Sequence, residues 1–184
     1  MSTHQKIRLF LGTYLDNSLF AKDYSKLQEK FSGISIGKWV EMENLHFTYF
    51  FIGDFPLNEL DYLKSSLAGI TERYNSEIFF NGLECFPNNR NPRILTVPVI
   101  NPDGMLIKLY QKIENVCTFF GLITDNKPYK PHITLQRIKE CDPLKIANII
   151  EEYKYYSFGL MSEFKVDLIS SELTSKGPIY KNVQ

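Results

Sequence analysis

Cysteine is scarce in this 184-residue sequence, and its three occurrences, Cys85, Cys117 and Cys141, include no C-x-x-C spacing. An odd, unspaced set supports neither a disulfide framework nor a zinc site, so reduced thiols are expected. Net charge is lacking too, because 21 basic residues balance 21 acidic ones. A protein that grips long nucleic acid mainly through counterion release carries a basic excess, so that class is disfavoured and a short end or a small nucleotide fits better. No apolar run approaches a membrane span, and Met1 to Arg8 has no apolar stretch of the signal-peptide kind. The expectation is a cytoplasmic, monomeric protein that does not engage a membrane.

What is present describes one globular unit. A chain of this length buries a proper core, and 43% hydrophobic with 23% charged residues is ordinary for a folded domain. Only three histidines occur, and two of them head the same short pattern: His46-Phe47-Thr48-Tyr49 and His132-Ile133-Thr134-Leu135. In a strand, side chains alternate between faces, so each His and its Thr point the same way, roughly 6.6 Å apart. An imidazole gives or takes a proton near neutral pH, and a hydroxyl donates to an oxyanion. Two such pairs facing one cleft supply an acid, a base and two donors. His4 matches no motif and is assigned no role.

Taken in order, Ile7 to Tyr14 reads as a strand, and Asp16 or Asn17 caps a helix through about Phe31 that carries Leu19, Phe20, Tyr24, Leu27 and Phe31 at helical spacing. Lys38 to Val40 is a short strand. Leu45 to Ile52 is the first motif strand, with His46, Thr48, Phe50 and Ile52 on one face and Gly53-Asp54 ending it. Pro56 starts a helix expected to reach about Tyr74, and strands follow at Ile78–Phe86 and Ile94–Val99. Asp103 caps a third helix through Phe120. A loop from Asp125 to Pro131 delivers the second motif strand, a helix runs from Pro143 to about Tyr153, and strands near Phe164–Ser170 and Ile179–Val183 close the chain.

The two halves repeat this order. Pro92 lies 46 positions after His46, and Pro178 lies 46 after His132. The strands beginning at Ile7 and Ile94 stand 39 and 38 positions before their motifs. One duplication of a strand, helix, motif strand, helix, strand, strand unit accounts for this, and the period is too long for a solenoid. The expectation is a single domain over residues 1–184 made of two pseudo-symmetric lobes, with the motif strands facing each other across the axis.

Two His-x-Thr motifs in these flanks resemble the 2H phosphoesterase superfamily, and within it the RNA 2′,3′-cyclic phosphodiesterases, also called 2′-5′ RNA ligases. Arg8-Leu9-Phe10, Glu43-Asn44-Leu45-His46-Phe47-Thr48, Pro131-His132-Ile133-Thr134-Leu135-Gln136-Arg137 and Gly177-Pro178-Ile179-Tyr180 carry the likeness over nearly the whole chain. The resemblance implies an α+β fold with two antiparallel sheets lining a central cleft and helices outside. It also implies hydrolysis of 2′,3′-cyclic phosphates at RNA ends or on nucleotides to 2′-phosphates, without a cofactor or metal. His46 is then the proton donor, His132 the proton acceptor, Thr48 and Thr134 the catalytic hydroxyls, and Arg137 a phosphate-binding cation. Ligation, 2′-5′ phosphodiester cleavage and non-catalytic RNA or nucleotide binding are the alternatives.

Each residue also has a structural reading. Taken singly, a histidine in an apolar strand is more often a core or surface residue than a catalyst, and a threonine is an ordinary β-branched strand residue. Strict alternation puts Arg137 opposite His132, as a solvated cation, unless a bulge turns it inward. Phe50 departs from the family pattern, where a basic residue often follows the first motif. Trp39 and Tyr49 can stack on a base, although packing suits both better. Lys127, Lys130, Arg137 and Lys139 form a basic cluster around the second motif. No carboxylate or cysteine accompanies His46 and His132 at metal-ligand spacing.

Overall fold

The computed structural model describes residues 5–123, 127–175 and 177–183. His4 lies outside them, as do Asp125 and Asn126 at the head of the expected loop. The described residues form ten strands and four α-helices. The first half contains β1 (Lys6–Tyr14), α1 (Asn17–Phe31), β2 (Ser35–Trp39), β3 (His46–Pro56), α2 (Leu60–Leu67), β4 (Arg73–Asn81) and β5 (Glu84–Phe86). The second half contains β6 (Ile94–Ile100), α3 (Met105–Phe119), β7 (His132–Cys141), α4 (Pro143–Glu152), β8 (Ser157–Lys165), β9 (Asp167–Thr174) and β10 (Gly177–Asn182).

Helix ends follow the local chemistry. The Asp16 carboxylate accepts from the Ser18 N–H at the start of α1, and Asp142 accepts from Leu144 and Lys145 ahead of Pro143 in α4. Each cap satisfies N–H groups that the first helical turn leaves without partners. Phe20, Tyr24, Leu27 and Phe31 form the buried stripe of α1, and Leu106, Leu109, Ile113 and Cys117 that of α3.

The strand order is β10-β9-β1-β3-β7-β6-β4-β8, with β2 also paired to β7 and β5 to β6. The expected α+β architecture is present, and the two motif strands lie side by side in its middle. They join through Phe47 opposite Ile133, so strands from the two halves of the chain make one continuous path. Each half sends a late strand to the first strand of the other. Thus β5 pairs with β6, β9 pairs with β1, and Thr13 of β1 donates to the Lys165 carbonyl of β8 at 2.7 Å. Strands of each half thus pair with strands of the other.

Several boundaries differ from the sequence reading. Strand β3 does not stop at Gly53-Asp54: it pairs with β1 as far as Pro56, because Gly53 takes φ +77°, a left-handed conformation that bends the strand without breaking it. Helix α2 ends at Leu67, not near Tyr74, because Arg73–Asn81 is drawn into pairing with β8. β8 itself was not expected, since Ser157 to Glu163 shows no clean alternation.

A larger correction concerns faces. In β3, Leu11 stands opposite Phe50 and Gly12 opposite Thr48, which leaves Tyr49 as an extra residue. Tyr49 and Phe50 are therefore both buried and Phe51 emerges on the His46 side, 70% exposed. Phe50 is not on the motif face after all. Strand β7 carries the same bulge, with Leu95 opposite Gln136, Thr96 opposite Thr134 and Leu135 extra. Leu135 and Gln136 are buried in succession, and Arg137 turns to the face of His132 and Thr134.

Candidate active site

His46 and His132 are held in the same way. A turn at Met42–Asn44 precedes β3, and the Asn44 carbonyl accepts from His46 Nδ1 at 2.7 Å. The Lys130 carbonyl accepts from His132 Nδ1 at 2.8 Å. A carbonyl only accepts, so each Nδ1 carries its hydrogen and each Nε2 is the atom left to exchange a proton. The duplicated backbone thus sets one tautomer twice.

Both rings, with Thr48, Thr134 and Arg137, line one cleft of about 880 Å³. That size suits a nucleotide-scale ligand. Arg137 came to this wall by the bulge in β7, and β2 braces it by pairing Lys38 opposite Arg137. Gly37 is required beside that pair, since a Cβ there would overlap the Arg137 carbonyl oxygen.

The two histidines differ in surroundings. Phe10 stands 5.0 Å from the His46 ring and Tyr180 stands edge-on at 5.2 Å, with Tyr14 at 6.2 Å. His132 has Phe86 at 4.8 Å. Burial lowers the His46 pKa against the raising effect of the Asn44 carbonyl, and the positive charges of Arg137 and His132 lower it further. Near neutral pH His46 therefore favours its uncharged form. Burial raises the Tyr180 phenol, so at the same pH it remains a hydrogen-bond donor.

Sequence reasoning missed three side chains that shape this site. Tyr180 and Phe86 come from strands far along the chain, which no local pattern connects to His46 or His132. Phe51 was hidden by the assumption of unbroken alternation. Of the two aromatics singled out for stacking, Tyr49 is buried and bonded to Thr13 at 3.1 Å, and Trp39 packs edge-on against Tyr24 and Phe31. Lys127 and Lys130 line the cleft with Arg137, whereas Lys139 does not. Among the described residues no three His, Cys, Asp or Glu side chains gather as a metal-binding group, and no helix is long and apolar enough to cross a membrane.

Two imidazoles with fixed Nδ1 hydrogens, two hydroxyls and a guanidinium around one cleft can serve acid/base chemistry on a phosphate ester. The family model described as LigT-like phosphoesterase matches residues 17–96 and again residues 98–180, one match to each half. The chain belongs to the LigT-like phosphoesterase family, within the 2H superfamily. It is 35% identical to the RNA 2′,3′-cyclic phosphodiesterase of Archaeoglobus fulgidus over 97% of this chain and 98% of that protein. It is 31% identical to the protein of the same name from Aquifex aeolicus, over 97% and 95%. The crystal structure of TT0787 from Thermus thermophilus superposes with a TM-score of 0.74 at 25% identity, covering 97% of this chain and 96% of that one. Escherichia coli LigT complexed with 3′-AMP, at 19% identity, shares the fold with a TM-score of 0.73 over 98% and 97%.

Proposed function

We propose that this protein hydrolyses 2′,3′-cyclic phosphates, at RNA ends or on nucleotides, to 2′-phosphomonoesters by metal-independent acid/base catalysis. The observation that carries this reading is the pair of histidines on adjoining strands, each with Nδ1 tied to a backbone carbonyl and both lining one cleft. Relatives at 31–35% identity that bear the name RNA 2′,3′-cyclic phosphodiesterase support it. Residues 1–184 act as one catalytic domain of two lobes, expected to work as a cytoplasmic monomer.

Water attacks phosphorus in line with the departing ribose oxygen, so proton transfer is needed on both sides of the phosphate. His132 Nε2 takes the proton of the attacking water. His46 Nε2 gives a proton to the leaving 3′ oxygen. Burial is the largest cause of its lowered pKa, and an anionic phosphate beside Arg137 works in the opposite direction by favouring the imidazolium. The Thr48 and Thr134 hydroxyls and Arg137 hold the non-bridging oxygens and stabilise the charge that builds on them.

The test is to incubate the purified protein with adenosine 2′,3′-cyclic phosphate under EDTA and follow the product by phosphorus NMR. The expected product is the 2′-monophosphate. A dominant 3′-monophosphate overturns the acid and base roles assigned to His46 and His132, and absence of hydrolysis overturns the activity itself.

A further inference from the structure

Each motif histidine carries an aromatic ring supplied by a late strand of the other half of the chain. Phe86 of β5 lies against His132 at 4.8 Å, and Tyr180 of β10 stands edge-on to His46 at 5.2 Å. Of these two rings, Tyr180 alone bears a hydroxyl. It is fixed from two further directions, since the ring meets Phe10 edge-on at 5.2 Å and the backbone pairs with Ser171 of β9. Burial raises the phenol, the charges of Arg137 and Arg8 lower it and that of Glu41 raises it, so the hydroxyl end lies among the ionic groups around Arg137. Among the described residues four tyrosines line the cleft. Tyr49 shares a hydrogen bond with Thr13, Tyr110 donates to Glu114 at 2.7 Å, and the Tyr129 hydroxyl is sealed from solvent. The Tyr180 hydroxyl is neither bonded to a described residue nor sealed in this way.

We propose that Tyr180 is a further phosphate-binding residue, whose hydroxyl donates to a non-bridging oxygen of the substrate phosphate on the His46 side of the cleft. The inference rests on the proposed function and adds a donor that neither His-x-Thr motif supplies. A phosphate that lies between the two histidines and meets Arg137 is brought to the wall that Tyr180 shares with His46. A neutral donor suits this place. The charges of Arg137 and His132 already disfavour the His46 imidazolium, and a further cation would disfavour it more, whereas a phenol O–H stabilises phosphate charge without that penalty. The phenol keeps its proton throughout, and His46 Nε2 remains the acid.

The experiment compares wild type with Tyr180→Phe, which removes the hydroxyl and keeps the ring that packs on His46 and Phe10. Calorimetry reads inorganic phosphate binding, kcat/KM reads hydrolysis of adenosine 2′,3′-cyclic phosphate, and NMR reads the His46 titration. Phosphate affinity and kcat/KM are each expected to fall by about 10-fold or more, the loss of one hydrogen bond to a charged acceptor, while the His46 titration stays in place. A wild-type value of either quantity in Tyr180→Phe overturns the proposal. Lost affinity together with a displaced His46 titration makes Tyr180 a positioning residue that acts through the imidazole, and overturns direct contact. A wild-type protein that hydrolyses no cyclic phosphate, but binds inorganic phosphate more tightly than Tyr180→Phe does, contradicts the activity and leaves the phosphate contact standing.

Discussion

Phe47 of β3 stands opposite Ile133 of β7, and each is the middle residue of a His-x-Thr motif. Both are fully buried. With these two side chains facing the core, His46, Thr48, His132 and Thr134 fall on the opposite face, where they line the cleft. The antiparallel direction carries each histidine toward the threonine of the other motif. Two copies of a weak pattern thereby become one four-residue constellation, placed by a single contact in the sheet.

Arg137→Met should raise the pKa of His46. The Arg137 charge is one of the effects that hold the imidazole low, and its removal relieves the imidazolium of like-charge repulsion. NMR titration of the His46 ring in both proteins checks the sign. The same variant should bind inorganic phosphate about 10-fold more weakly, as expected for loss of a charge-assisted hydrogen bond.

Turnover should follow a bell-shaped pH profile that survives exhaustive chelation, because one histidine begins neutral and the other protonated. Stability should shift with pH as well. A folded-state His46 pKa below the unfolded value of about 6.5 gives a contribution that is whole above that pH and is lost as pH falls through the folded value. Thermal melts from pH 8 down to pH 5 should fall less steeply for His46→Gln than for wild type.

Much of this was legible because the signals are local or periodic. Asp16, Asp103 and Pro143 announced their helices, and the duplicated motif announced the site. The fate of Arg137 and Phe51 was not legible. A bulge is set by pairing with a strand distant in sequence, β1 for Tyr49 and β6 for Leu135, and one extra residue reverses every face that follows it. β8 escaped notice for a related reason. Its partner β4 lies far upstream, in the other half of the chain, and that long-range pairing also overrides the helical pattern after Leu67.

Gly37→Ala should damage the site from outside it. The new Cβ would collide with the Arg137 carbonyl oxygen and lie 2.9 Å from the Ile138 Cα, both backbone atoms, so β2 must move away from β7. A loss of about 2–3 kcal/mol is expected for such overpacking. Gly53→Ala, whose Cβ meets nothing within 4 Å, should cost only the left-handed backbone penalty of about 1–2 kcal/mol. Urea denaturation compares the two, and Gly37→Ala alone should also weaken phosphate binding through Arg137.

The proposed mechanism stands on His46 and His132 acting together as acid and base. Its most direct test is the single-turnover rate of cyclic phosphate hydrolysis by His46→Ala and His132→Ala, each verified as folded by circular dichroism. Both rates should fall by about 100-fold or more, the loss expected when a general acid or base is removed. A rate near wild type in either folded variant would contradict the two-histidine mechanism.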